Sequence, residues 1–246
     1  MMAGSKMNIQ AIATIHNAYK DKFGIPRQSG LACEDVSYIV FKEAYRTPEA
    51  LRGIEGYSHL WLLWHFSEME AKRTFSPTVR PPRLGGNTRV GVFATRSPNR
   101  PNSIGMSSVR LGRVIKTEKY GHVLEVFGAD ILSGTEIFDV KPYVPYSDSH
   151  PMATGGFAVD GESYSLELDF PSELKSEIEE RDLSALSDIL KGDPRPSYQT
   201  DPMRIYTLDY YRYKVSFRIS DGIVHVISVE KNSDGGDDIY EYMRMC

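Results

Sequence analysis

Short apolar runs recur along the first 130 residues and are separated by segments rich in Gly, Pro and Asn. Apolar runs of four to eight residues bounded by turn residues are typical of buried strands. One short helix is predicted at residues 47–56, where Thr47 is a good N-cap and Pro48 suits the first helical position. No helical pattern alternates with the strands, so we expect a mainly β fold, either a barrel or a sandwich. The predicted strands are residues 9–16, 38–41, 60–66, 90–95, 107–116 and 122–128.

The pattern changes after about residue 145. A polar, Gly-rich stretch at 147–170 predicts a linker or exposed loop. Residues 172–190 have the spacing of an acidic amphipathic helix, which Gly192 and Pro194 would end. Two alternating segments flank Asp221-Gly222, which is a strong hairpin signal. We therefore predict four segments: a β-rich domain over 1–146, a linker or exposed loop over 147–170, a small α+β domain over 171–232 and a flexible tail over 233–246.

Positive charge is concentrated in one window of an acidic chain. The net charge is −4, which by itself argues against a nucleic-acid binder. Residues 71–117, however, contain ten Lys or Arg and no Asp or Glu, and removing these ten charges leaves −14 for the rest. Such segregation predicts a positive surface that faces an anion such as phosphate. The alternative is that these side chains pair with carboxylates elsewhere in the fold.

Several common classes of site are excluded by missing motifs. The sequence has no GxxxxGK[ST], GxGxxG, HExxH or GxSxG. Cys33 and Cys246 give neither a metal spacing nor a disulfide framework, so we expect no metal. The histidines are scattered and are interpreted as structural, except His65, which ends an apolar strand and is a candidate site residue. The longest apolar run has seven residues, against the roughly 18 to 20 needed to cross a bilayer, and the N-terminus lacks a signal-peptide stretch. We expect no membrane association and a cytoplasmic location.

Four polar loops at predicted strand ends remain as candidates for a ligand site. An adenosine-like ligand needs backbone groups for the base, an acid or amide for the ribose, and Arg for a carboxylate or phosphate. Each loop alone could be an ordinary surface turn, but together with the charge pattern they favour a site. The loops are 23–30 (FGIPRQSG), 80–86 (RPPRLGG), 93–111 (FATRSPNRPNSIGMSSVRL) and 128–148 (GADILSGTEIFDVKPYVPYSD).

These loops resemble the TrmO (YaeB/TsaA-like, VirR) family of S-adenosylmethionine-dependent tRNA methyltransferases. Two further segments share the resemblance, residues 53–66 (GIEGYSHLWLLWHF) and 193–198 (DPRPSY). The resemblance covers nearly the whole chain. It implies a compact β-barrel N-terminal domain, unlike the Rossmann-type methyltransferases, a small α+β C-terminal domain and a homodimer. It also implies methylation of the exocyclic amine of threonylcarbamoyladenosine, next to the anticodon of threonine tRNA.

The resemblance also implies roles for individual residues. Arg96 and Met106 are expected to face the cofactor and Arg100 to face the RNA. The cofactor-binding residues by position are Pro26, Arg27, Gln28, His65, Phe66, Arg96, Met106, Asp130, Ile131 and Leu132. The tRNA-binding candidates are Arg80, Arg83, Arg100, Lys141, Asp193, Arg195 and Tyr198.

The catalytic base is unknown, with Asp130 and Tyr143 as weak candidates. Two other classes of function stay open. One is a methyltransferase that acts on another RNA or on a small molecule. The other is a non-catalytic RNA- or nucleotide-binding module, which the charge pattern alone supports equally well.

Overall fold

The structure is a computed structural model that describes residues 8–67, 75–81, 84, 87–161, 165–196, 199–232 and 237–246. Its strands are β1 (Ala13–Asn17), β2 (Val36–Phe41), β3 (His59–His65), β4 (Thr78–Val79), β5 (Val90–Gly91), β6 (Ile104–Thr117), β7 (Gly121–Phe127), β8 (Glu136–Pro142), β9 (Glu167–Asp169), β10 (Tyr206–Tyr210), β11 (Tyr213–Ser220) and β12 (Ile223–Lys231). Its α-helices are α1 (Pro145–Asp148), α2 (Ser172–Lys175), α3 (Glu180–Lys191) and α4 (Asp238–Met245). Short 3₁₀ turns cover Glu43–Tyr45, Pro48–Leu51, Ile54–Gly56, Val92–Ala94 and Gly156–Gly161.

Six antiparallel strands form one sheet in the order β1-β2-β7-β6-β3-β8. Strand β8 also pairs with β1, through Ala13 opposite Ile137 and Thr14 opposite Glu136, so each strand has a neighbour on both sides. This arrangement leaves no edge strand with unpaired backbone groups. Alternate residues of each strand point inward, as in β3, where Leu60, Leu62 and Trp64 are buried. The prediction of a mainly β fold is confirmed.

A second sheet of four strands, in the order β10-β11-β12-β9, forms the small C-terminal part. The predicted hairpin is confirmed, with β11 and β12 paired on either side of Asp221-Gly222. Strand β9, which pairs in parallel with β12, lies inside the segment predicted to be a linker. That prediction is therefore wrong for Glu167–Asp169, because its backbone hydrogen bonds go to the second sheet.

Three other local predictions differ from the structure. The single helix predicted at 172–190 is divided into α2 and α3, because the backbone N–H of Glu179 donates to the hydroxyl of Tyr213 at 3.0 Å. The helix predicted at 47–56 is two 3₁₀ turns separated at Gly53, which has a left-handed φ of 89°. The strand predicted at 90–95 stops at Gly91. The backbone N–H of Val92 donates to the carbonyl of Pro77 at 2.9 Å and starts a turn.

The prediction of a flexible tail is wrong for residues 237–246. Asp237 caps α4 by accepting hydrogen bonds from the backbone N–H groups of Ile239 and Tyr240. The side chains of Tyr240 and Met243 are buried in the same apolar cluster as the C-terminal sheet. An amphipathic helix with buried residues is a packed element.

A polar group of five residues is buried where the two sheets and α4 meet, and we call it the interface cluster: Asp35, Asp182, Tyr210, Tyr240 and Arg244. Asp35 is 0% exposed, and the hydroxyl of Tyr210 donates to its Oδ1 at 2.7 Å. Burial raises the pKa of Asp35 to about 7, although hydrogen bonds from tyrosine hydroxyls oppose the rise. Arg244 donates to both carboxylate oxygens of Asp182, at 2.6 and 2.9 Å. The cluster therefore joins the two sheets through buried polar bonds.

Candidate active site

Three of the four predicted loops meet at one polar group, which we call the loop cluster: Gln28, Arg96, Ser107 and Asp130. The Nη1 atom of Arg96 donates to the Oε1 atom of Gln28 at 2.6 Å. The hydroxyl of Ser107 donates to Oδ1 of Asp130 at 2.5 Å. The positive charge of Arg96 also lowers the pKa of the Asp130 carboxyl group. Residues separated by about 100 positions in the chain are thus brought near one another, and their role in binding a cofactor stays a prediction.

Asp130 occupies an environment that strengthens it as a base. Burial raises the pKa of Asp130, whereas hydrogen bonds from Ser107 and from backbone N–H groups, including that of Ser29, together with the charge of Arg96, lower it. The burial effect is larger, so the pKa lies above its ordinary value. A carboxylate with a raised pKa takes up a proton more readily than a surface aspartate does. The bond from Ser29 also ties the loop at 23–30 to this carboxylate.

Ser107 and Trp64 orient Asp130, and sequence reasoning missed both. The indole Nε1 of Trp64 donates to the hydroxyl oxygen of Ser107 at 3.0 Å. Because an indole N–H only donates, the Ser107 hydroxyl accepts there and gives its own hydrogen to Asp130. Gly105 makes room for this arrangement, since a Cβ at that position would lie 2.3 Å from the Trp64 ring. The available signal was the alternation of Gly105 and Ser107 on the inward face of β6, opposite β3.

His65, Phe66 and Met106 lie at the same end of the β3–β6 pair. His65 pairs with Ile104, and Leu63 pairs with Met106. The ring of Phe66 packs against that of Trp64, with centroids 4.3 Å apart. Met106 is 49% exposed because it lies between the inward-facing Gly105 and Ser107 and points to the outer face of β6. Phe66 therefore lies against the Trp64–Ser107–Asp130 bonds, whereas His65 and Met106 alternate with the inward-facing Trp64 and Ser107 and point to the outer face of the sheet.

Ile131 anchors the last cofactor segment through its side chain. That side chain is 1% exposed, and the carbonyl of Ile131 accepts a hydrogen bond from Asn17 Nδ2 at 2.8 Å. Leu132 and Pro26 are half-buried. The structure thus places Ile131 in the core of the first sheet, and Asp130 is the polar group of this segment.

Arg27 links the first loop to the C-terminal segment. Its Nη2 atom donates to the carbonyl of Asp193 at 2.9 Å and to that of Arg195 at 3.4 Å. Arg195 in turn bonds the Asp193 carboxylate at 3.0 Å. A predicted cofactor residue therefore contacts two predicted tRNA residues, and all three hold two parts of the chain together.

The other predicted tRNA residues are dispersed. Arg100 donates to the carbonyls of Thr95 at 2.6 Å and Val92 at 3.4 Å, so its guanidinium supports its own loop. Arg80 is exposed, and Lys141 is exposed and pairs with Asp139 at 2.8 Å. Arg83 and Tyr198 lie outside the described residues.

Tyr143 is separated from the loop cluster. It follows β8, its backbone N–H donates to the carbonyl of His59, and its ring lies 5.6 Å from that of Trp61. His59 and His65 are the two ends of β3, about 20 Å apart at ~3.3 Å per residue. The two candidate bases, Asp130 and Tyr143, are thus not brought together.

Five of the ten positively charged residues of the window 71–117 have partners in the described part of the chain, and these partners are of two kinds. Arg110 pairs with Glu34 and Arg113 with Glu125, each at 3.2 Å, as the ion-pair alternative predicts. Arg89 bonds the hydroxyl of Thr78, and Arg96 and Arg100 bond the uncharged oxygens given above. The two ion pairs therefore lie on β6, whereas Arg89, Arg96 and Arg100, which bond uncharged oxygens, lie before it. Within the described ranges, no group of His, Cys, Asp or Glu could hold a metal ion, and no helix there is long and apolar enough to cross a membrane.

The fold and site define a class of protein: a mainly β protein whose Arg, amide and carboxylate groups converge on loops instead of on a doubly wound nucleotide-binding sheet. Residues 14–149 match the tRNA-methyltransferase O N-terminal domain, and residues 163–232 match the TrmO C-terminal domain. The chain belongs to the tRNA-methyltransferase O family, which confirms the resemblance.

Relatives and solved structures agree with this assignment. The tRNA (adenine(37)-N6)-methyltransferase of Escherichia coli K12 is 36% identical over 235 residues, which are 92% of this chain and 99% of the relative. A putative S-adenosylmethionine-dependent methyltransferase, RcsF, of Pseudomonas aeruginosa is 36% identical over 200 residues, 80% of each chain. The crystal structure of TrmO from Pseudomonas aeruginosa superposes with a TM-score of 0.74 at 28% identity, covering 94% of this chain and all of the other.

Proposed function

We propose that this protein is an S-adenosylmethionine-dependent methyltransferase that methylates N6 of adenosine 37 in tRNA. We extend the proposal to threonylcarbamoyladenosine in threonine tRNA as the substrate. The observation that carries it is the loop cluster, in a chain that matches the family over both its N- and C-terminal parts. The Escherichia coli relative is named for the reaction on adenine 37.

The residues of the site fit S-adenosylmethionine. Arg96, steadied by Gln28, is suited to a carboxylate, and a planar guanidinium binds that group with two parallel hydrogen bonds. Phe66, whose ring packs against that of Trp64, offers apolar surface for an adenine ring, and the exposed Met106 is a further proposed contact. When bound, the cofactor supplies a methyl group on a sulfonium, which is an excellent leaving group. The other proposed contacts of the cofactor are Pro26, Arg27, His65, Asp130, Ile131 and Leu132.

The protein acts mainly by alignment. Holding two reactants in line lowers a barrier by about 7 to 11 kcal/mol, and the sulfonium needs little further activation. The carbamoylated amine is a poor nucleophile, so a group that accepts its proton adds to the rate. Asp130 is the better candidate, because its pKa is raised by burial and its orientation is set by Ser107. Tyr143 lies at the other end of β3.

The organisation of the enzyme is also proposed. The six-strand sheet would act as a compact β-barrel cofactor domain over 1–146, and residues 171–232 would form a small domain on the RNA side. The matched ranges, 14–149 and 163–232, support this division. The tRNA-facing groups would include Arg80, Lys141, Asp193 and Arg195, and the family resemblance favours a cytoplasmic homodimer.

Nucleoside analysis tests the proposal. The protein would be incubated with S-adenosylmethionine and total tRNA from a strain that lacks this activity, and the digested nucleosides would be separated and weighed by mass spectrometry. The expected product is a threonylcarbamoyladenosine heavier by one methyl group, in threonine tRNA. A methyl group on another nucleoside would show that the protein acts on a different RNA substrate. Binding of tRNA and cofactor without any product would favour the non-catalytic binding module.

A further inference from the structure

Two phenylalanine rings are stacked on the surface beside the loop cluster. Phe75 is 56% exposed and Phe93 is 71% exposed, and their ring centroids are 6.1 Å apart with an angle of 25° between the planes. Single exposed apolar residues are common, but two exposed aromatic rings stacked on each other form a contiguous apolar patch. Neither ring belongs to the loop cluster or to the proposed contacts of the cofactor and tRNA.

The backbone under these rings is held in place. Strands β4 and β5 pair Thr78 with Gly91, which brings the chain near Phe75 alongside the turn Val92–Ala94. Val92 is fully buried and its carbonyl accepts a hydrogen bond from the Thr95 hydroxyl at 2.8 Å. The next residue, Phe93, is therefore directed outward by an anchored turn.

Positive charge surrounds the patch. The guanidinium of Arg100 lies 5.9 Å from the centroid of Phe93, and it also holds the carbonyl of Thr95. Arg96, in the loop cluster, is three residues from Phe93 and so within about 10 Å along the chain. Both rings belong to the window 71–117, which contains no acid. The patch combines exposed aromatic faces with arginines, which is the combination that single-stranded nucleic acid binds.

We propose that Phe93, supported by Phe75, is a stacking platform for an unpaired base of the tRNA loop that carries the target adenosine. This inference rests on the proposed function. A base stacked there would hold the loop while the neighbouring nucleotide enters the cofactor site. A second copy of the chain is a poorer occupant, because a two-fold contact at this patch would bring two acid-free, positive surfaces together.

Substitutions of Phe93 test the platform. We expect Phe93→Ala to raise the KM for tRNA about 10-fold, because base stacking on an aromatic side chain is worth ~1–3 kcal/mol. Phe93→Tyr keeps the ring and should stay within about 2-fold of the wild type. The dissociation constant for S-adenosylmethionine, measured by calorimetry, should be unchanged in both variants. Ile227→Ala, at a 44% exposed position of β12, is the matched control and should change neither constant.

A direct contact assay separates stacking from other effects. An anticodon stem-loop RNA with 2-aminopurine in its loop should lose fluorescence on binding the wild type and Phe93→Tyr, and much less on binding Phe93→Ala. Equal KM values and equal quenching for Phe93→Ala and the wild type would overturn the platform. A lower sedimentation coefficient for Phe93→Ala would overturn it in favour of self-association. If the wild type quenches the probe but methylates no tRNA, the proposed function fails and the platform survives.

Discussion

The loop cluster and the interface cluster both contain an aspartate whose pKa is raised by burial. In the interface cluster, Asp35 is 0% exposed and contacts Tyr210, which is itself buried. In the loop cluster, Asp130 is only partly buried, and its partners belong to loops with exposed groups such as Arg96. A raised pKa therefore does not by itself distinguish Asp35, which lies in the interior between packed elements, from Asp130, which lies among partly exposed loops.

The two clusters differ in what surrounds the acid. The neighbours of Asp35 are Tyr19, which follows β1, Tyr210 of the second sheet, Asp182 of α3 and Arg244 of α4, so they join parts of the molecule. The neighbours of Asp130 are Ser107 of β6 and two loop residues, Ser29 and Arg96, and Arg96 is exposed. Asp182, Tyr210, Tyr240 and Arg244 of the interface cluster line a cavity of about 400 Å³, but Asp35 is not among its lining residues and is 0% exposed. What separates the two aspartates is therefore the exposure of the acid and of the groups that contact it.

Asp130→Asn should have the largest effect, on the rate. Removing a proton acceptor lowers a rate by about 10²- to 10⁴-fold, while the amide still accepts the bond from Ser107. In the wild type, the rate should rise with pH through the pKa of Asp130, because the base must be ionised. The variant should lack this rise. Initial rates of methyl transfer between pH 4.5 and 8 measure both, and a variant within 10-fold of the wild type would remove Asp130 as the base.

Asp35→Asn should change stability and leave the rate alone. The folded-state pKa of about 7 lies above the unfolded value of 3.8, so ionisation of Asp35 costs stability as pH rises from about 4 to 7. The variant should thus be more stable than the wild type at pH 8, by at most about 4 kcal/mol at 1.36 kcal/mol per pKa unit, and less so at pH 5.

Urea unfolding at the two pH values measures this difference, with methyl transfer as the control. If Asp35→Asn abolished methyl transfer and left the pH dependence of the unfolding free energy unchanged, Asp35 would not have the structural role that distinguishes the interface cluster from the loop cluster. The charged neighbours of Asp35 in this comparison are Asp182 and Arg244.

Arg96→Ala should have the smallest of the three effects, on cofactor binding. A hydrogen bond to a charged group contributes about 1.5 to 3 kcal/mol, which corresponds to roughly 10- to 100-fold in affinity. Calorimetric titration with S-adenosylmethionine measures it. Arg89→Ala is the matched control, since Arg89 lies in the same window but bonds Thr78. If the two variants bound S-adenosylmethionine with equal affinity, Arg96 would not be a cofactor-binding residue.

Local patterns predicted much of the fold and part of the site. The β11–β12 hairpin followed from alternation and an Asp-Gly turn, both of which act over a few residues. The strand ending at Gly91 and the divided helix were mispredicted because bonds to Pro77 and Tyr213, distant in sequence, changed the local path. The segment α4 was mispredicted because its burial depends on a groove formed by other elements.

The loop cluster shows the same limit for individual residues. The motifs brought Gln28, Arg96 and Asp130 to attention as separate candidates. Ser107 and Trp64 acquire their role only through a chain of two hydrogen bonds. Arg100 bonds its own loop, which the charge count did not indicate, and its contact with RNA stays a prediction.

By itself the sequence determined the β-rich character, the acid-free window and the family, because these depend on residue types and on spacing along the chain. The tertiary structure alone decided that Gln28 meets Arg96, that Asp193 meets Arg27, and that one buried aspartate joins two sheets while another lies beside an exposed surface. The physical reason is that hydrogen bonds and burial depend on distances in space. For residues about 70 to 170 positions apart, only the folded chain sets those distances.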